Sequence, residues 1–141
     1  MRKTRILICL ILTQLFVVSI FVANTADSLR QQLMGLPDSS KLIKLNELLY
    51  QNNRNNVYKI YADLLLEEAQ KQNNDFYKGN ALLLLMRYYY ARNPDSMRFY
   101  LKQAEPIYIA TNRIEDLCRV KGWNIYTLTN EGTHEQVLGE V

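Results

Sequence analysis

The chain repeats itself at a spacing of forty residues, and this constrains its fold more than any other feature. Set forty apart, Leu45, Leu85 and Ile125 coincide, as do Leu48, Tyr88 and Leu128. Val57, Met97 and Val137 form a third set, and Tyr61, Leu101 and Val141 a fourth. Between the second and third sets each copy carries a polar break: QNNRNN (51–56), ARNPDS (91–96) and NEGTHE (130–135). Such a period marks stacked supersecondary units, none of which can bury its apolar face alone.

Each unit reads as two helices. In the second copy Ala81, Leu85 and Tyr88 fall on one stripe at helical spacing, with Leu82 and Tyr89 beside them. Asn93 is suited to cap the next helix, and Pro94 suits its first turn, where a missing N–H costs nothing. Met97, Leu101 and Ala104 continue at spacings of four and three. The first copy has Leu42, Leu45, Leu48 and Leu49, an asparagine-rich break, then Val57, Tyr61, Leu64 and Leu65. The third has Ile125 and Leu128, with Gly132 and Thr133 as helix stop and restart. The pattern predicts helices over 40–52, 57–73, 75–91, 94–112 and 115–130, packed as antiparallel neighbours. Pro106 is expected to kink or end its helix, because it cannot donate to the Lys102 carbonyl.

The run LLLLMRYYY (82–90) is then a helix that is apolar almost all round, as a helix covered on both sides by neighbours must be. It is too long and too unalternating for a strand, and too short and too charged, at Arg87, for a membrane span. Five glycines and three prolines in 141 residues also argue against an all-β chain, which needs many turns.

The net charge of +3 comes from Arg2, Lys3 and Arg5 alone; residues 27–141 hold 14 basic and 14 acidic side chains. That balance lacks the positive surplus that neutralises phosphates, so nucleic acid is not an expected partner. MRKTR followed by the uncharged run Ile6–Ala23 reads as an export signal or signal anchor over residues 1–26. At 18 residues the run is near the lower limit for spanning a bilayer, and a cleaved signal and an uncleaved anchor both fit. The remainder is expected outside the cytoplasm, periplasmic or tethered to the inner membrane, with membrane contact only through residues 6–23. Residues 27–38 read as a short helix and linker, and 39–141 as the repeats. Cys9 lies within the apolar run, so Cys118 has no intrachain partner in a cleaved product; it is expected to be a buried thiol.

Leu84, Leu85, Tyr88, the ARNPD turn, Met97, Leu101 and Ala104 together resemble the tetratricopeptide repeat family over about residues 39–141. Leu85 and Met97 stand where that family prefers glycine or alanine, and the period is 40 rather than 34. More narrowly, LPDSSKLIKLNELL (36–49) behind an export signal is similar to the exported sensor regions of Bacteroidetes-type histidine kinases and related regulators. The resemblance implies an all-α, right-handed solenoid of helical hairpins. It also implies a groove, lined by the first helix of each pair, that binds a protein or peptide. The groove positions carried over are Asn46, Leu49 and Tyr50, then Met86, Tyr89 and Tyr90, and finally Arg119, Tyr126, Thr129 and Asn130.

Other candidates are weaker. His134 is the only histidine and lacks companion ligands, so neither a metal nor a cofactor is expected. Asp63 and Glu67, with Glu68 beside them, read as a solvated helix face rather than an acid–base pair. No nucleophile–base set appears, which argues against an enzyme. The tyrosines serve either packing or recognition. The expected function is therefore an exported interaction module, the sensory or scaffolding part of a signalling system, with a free-standing periplasmic adaptor as the alternative. With two copies and part of a third, the edge around Trp123, Ile125, Leu128 and Val137 is expected to be partly exposed and covered by missing sequence, by a second copy or by a partner.

Overall fold

A computed structural model describes residues 26–52 and 57–132. The expectations for the export segment with Cys9, the tip of the first break, His134, Val137, Val141 and the closing helix of the third copy lie outside the described residues. The chain divides into two units, Met1–Pro37 and Asp38–Val141. In the first, residues 26–34 form helix α1, closed by a turn in which the Leu36 N–H donates to the Leu33 carbonyl at 3.0 Å. Leu29 and Leu33, one turn apart, are its buried positions.

The second unit is all-α over its described residues. It contains α2 (Asp38–Gln51), α3 (Tyr58–Lys71), α4 (Asp75–Tyr89), α5 (Pro94–Ala110) and α6 (Ile114–Asn130). Every boundary lies within two residues of the one the periodicity predicts. Asparagine sets most of the punctuation. Asn74 and Asn93 cap α4 and α5, their side chains accepting from the Tyr77 and Ser96 N–H groups at 3.3 and 2.9 Å. Asn73 and Asn112 close α3 and α5 with φ near +52° and +55°, a left-handed conformation that asparagine tolerates better than most residues. In both places the next N–H reaches back six residues inclusive, Asn74 to Ala69 at 2.9 Å and Arg113 to Tyr108 at 2.7 Å. Helices α3 and α5 thus stop with the same hydrogen-bond motif.

From α2 to α6, each helix packs chiefly on its neighbours in sequence within the unit, and α4 also touches α2 and α6. This explains the apolar run. Gly79 to Met86 are all buried, because α4 is covered by α2, α3, α5 and α6 and has no solvent face over two turns. Leu82, Met86, Met97, Leu101, Ala104, Tyr108 and Val120 fill the core between α4, α5 and α6. On the other side Leu42, Leu45, Leu49, Ala62, Leu65 and Ala69 are buried in α2 and α3.

The three tyrosines step round the end of α4 by about 100° each, and each meets a different helix. Tyr88 lies edge-on to Tyr58 of α3 at 5.6 Å, Tyr89 stacks on Tyr100 of α5 at 5.7 Å, and Tyr90 meets Trp123 and Tyr126 of α6 at 5.7 and 5.8 Å.

Pro106 does not end its helix: α5 continues to Ala110. The proline sits on the exposed face, where water can solvate the Lys102 carbonyl that it leaves without a donor. Cys118 is exposed, not buried, because it falls on the outer face of α6 while Val120 and Asn124 face inward. At the α6 edge Leu128 is buried, whereas Trp123 and Ile125 are half-buried.

Candidate functional site

A cleft of about 270 Å³ opens across α2, α4 and α6. Tyr50 from the end of α2 forms one lip, Leu83, Leu84 and Arg87 of α4 form the floor and upper wall, and Arg113, Asp116, Arg119 and Trp123 form the far side. The apolar floor follows from the burial of α4: Leu83 and Leu84 are 5% and 4% exposed. The charged wall follows from the start of α6, where Glu115 and Asp116 favour the positive end of the helix dipole and draw arginines to themselves.

Arg113 is the fixed part of that wall. Its guanidinium donates to Asp116 at 2.6 and 2.8 Å and to the Phe76 carbonyl at 3.1 Å. It lies 5.0 Å from the Tyr108 ring centroid and 5.5 Å from that of Phe76, within cation–π range. Tyr108 beneath it is fully buried, and its hydroxyl donates to the Gly79 carbonyl at 2.9 Å. Burial pushes the Tyr108 phenol well above the usual tyrosine range, and the Arg113 charge opposes that shift. Arg119 donates to Glu115 at 3.0 Å and Asp116 at 3.4 Å.

Of the ten groove positions expected from the sequence, Tyr50 and Arg119 line this cleft. Leu49 and Met86 do not reach any surface; both are 0% exposed, because they sit on the inward sides of α2 and α4, where α3 and α5 cover them. Tyr89 is turned toward α5, on its Tyr100 stack. Asn46 accepts from the Asn80 side chain at 3.0 Å and so bridges α2 to α4. Tyr90 meets Trp123 at the cleft edge, and Tyr126 meets Tyr90. Thr129 and Asn130 are exposed at the end of α6, and the Thr129 hydroxyl donates to the Ile125 carbonyl.

Sequence reasoning missed Leu83, Leu84, Arg87, Arg113, Asp116 and Trp123 as cleft residues. Arg87 carried a signal, as the single charge in residues 79–90 of an otherwise nearly apolar helix.

The carboxylates of α3 are occupied on the surface. Asp63 accepts from Lys59 at 2.6 Å, and Glu68 accepts from Gln72 at 2.6 Å. Among the described residues no cluster of three or more His, Cys, Asp or Glu side chains has metal-binding geometry, and no helix is long and apolar enough to cross a membrane. Comparison with protein-family models, curated proteins and solved structures finds no match.

Proposed function

We propose that this chain is an exported, tetratricopeptide-like interaction module that holds an extended segment of another protein in the α2–α4–α6 cleft, and that it is the sensory or scaffolding part of a signal-transduction system. The observation that carries the reading is the cleft, in which alternate helices put an apolar floor beside aromatic lips and guanidinium walls. Such mixed, concave surfaces suit peptide recognition, with tyrosine and tryptophan supplying area at small entropic cost.

The repeat arrangement is supported by three facts. The first helices begin at Asp38, Asp75 and Ile114, spacings of 37 and 39 residues. They touch across the hairpins, α2 with α4 and α4 with α6. The second helices α3 and α5 end in the same asparagine motif, 39 residues apart. Export is supported by the basic end and the apolar run of residues 1–26.

The test is selection of displayed random decapeptides on the full chain, purified in mild detergent. Enriched peptides should lose binding to Tyr50→Ala and Trp123→Ala and keep it with Glu67→Ala, which changes an exposed position of α3. Absence of enrichment, or binding indifferent to the two aromatic substitutions, would overturn the reading.

A further inference from the structure

The three guanidiniums of the cleft differ in how they are partnered. Arg113 is 15% exposed, held by Asp116, the Phe76 carbonyl and two aromatic faces. Arg119 is shared between Glu115 and Asp116. Arg87 is exposed and has no acidic partner among the described residues. Three arginines thus face two carboxylates, and the unbalanced positive charge sits on Arg87.

The spacing on α4 adds a geometric constraint. Leu83 and Arg87 are four residues apart, so their positions are separated by about 6 Å along the helix, at about 1.5 Å per residue. In an extended peptide, side chains two residues apart point the same way and lie about 6.6 Å from each other. A volume of about 270 Å³ is at the small end for a ligand pocket, and suits a pair of side chains rather than a folded element.

The geometry points to a specificity rule for the cleft, which rests on the peptide-binding reading above. The ligand is an extended segment with an apolar side chain seated on Leu83, Leu84 and Trp123, and an acidic side chain two residues away on Arg87. The source of the carboxylate is a side chain within the segment, because only a residue two positions from the apolar one faces the same wall at this separation. Arg87 is the selecting residue, and Arg113 positions the wall.

The selected decapeptides supply the test, synthesised with acetylated and amidated ends and titrated onto the full chain in mild detergent. They should carry Asp or Glu two positions from a Leu, Ile, Phe or Tyr. Changing that acid to its amide should weaken binding about tenfold, as should Arg87→Ala, since hydrogen bonds to charged groups carry effects of about that size. Selection repeated on Arg87→Glu should enrich Lys or Arg at the same place. Far-UV circular dichroism shows whether the exposed substitution leaves the helices intact.

Peptides that need Tyr50 and Trp123, yet show no acidic preference or an unchanged one on Arg87→Glu, would overturn this rule while leaving the groove reading standing. A peptide whose acidic residue is replaced by its amide but whose free C-terminal carboxylate restores affinity would overturn the side-chain source. Failure to select any aromatic-dependent peptide would overturn both readings at once.

Discussion

Gly79 sets the α4 backbone against the α5–α6 junction. A Cβ there would meet Arg113 Nη1 at 2.5 Å and Tyr108 Cε1 at 3.1 Å. The guanidinium can swing away only by giving up Asp116 and the Phe76 carbonyl, and the Tyr108 ring is fully buried. Gly79→Ala should therefore destabilise by about 1–2 kcal/mol, the cost of overpacking reduced by the better helix propensity of alanine. Urea denaturation would check it, and a stabilised variant would mean that the junction is loose. The same contact has a pH signature. The folded pKa of Tyr108 is raised, so its stabilisation is fully present below the unfolded value of about 10 and is lost as pH rises beyond it. Above pH 10 the wild type should lose up to about 1.4 kcal/mol per pH unit on this account. Tyr108→Phe should show a shallower slope, though not a flat one, because burial also raises Tyr58 and Tyr100. Urea midpoints measured from pH 9 to 11 for both proteins decide the matter. Burial likewise ranks Leu85, at 0% exposed, against exposed Glu67. Leu85→Ala should cost about 2–5 kcal/mol and Glu67→Ala less than about 1 kcal/mol, and equal denaturation midpoints would contradict that ranking.

The helices could be read from the sequence because their signals are local. The polar stretch 91–96 contains both a cap and a first-turn proline, and the structure starts α5 there, with Asn93 accepting from Ser96 at 2.9 Å. Asn93→Ala should cost about 1 kcal/mol, visible in thermal unfolding, with the helix start frayed but its position unchanged. Asn74 makes the same kind of cap at 3.3 Å, a longer bond, so Asn74→Ala should cost less. The faces were harder to read than the ends. Periodicity marks Leu49 and Met86 as apolar positions, yet whether such a residue lines a groove or a core depends on which side the neighbouring helices cover, and that is decided by packing between distant segments. Cys118 was misjudged for the same reason: α6 turns Val120 and Asn124 inward and leaves the thiol outside. Most of the cleft was not legible, since Arg113 and Asp116 fall at a helix start where sequence offers only loop chemistry. Their roles arise from Phe76 and Tyr108, 37 and 5 residues before Arg113.

On the scale of the molecule, α4 is the shared element: it packs chiefly on α3 and α5 and also touches α2 and α6. The other helices of this unit pack on fewer partners. Opening α4 to solvent therefore requires breaking both sides of the core, whereas α6 can detach by losing its contacts with α5 and the smaller set with α4. Where each helix leans mainly on its neighbours, stability is a sum of such interfaces and is lowest at the elements with fewest. Backbone amides of residues 79–86, all of them buried, should consequently exchange slowest in the chain. The α6 amides should exchange with a lower free energy of opening, and those of α2 should fall between them, because Leu42, Leu45 and Leu49 are almost fully enclosed. A peptide bound as proposed would bridge α2, α4 and α6 and should slow exchange in α6 most, since that helix would have the most stability to gain from a ligand that ties it to α4. Hydrogen exchange read by mass spectrometry, with and without a selected peptide, measures the ranking. Exchange in α6 as slow as in α4 before peptide is added would show that α6 is locked by contacts beyond those with α4 and α5.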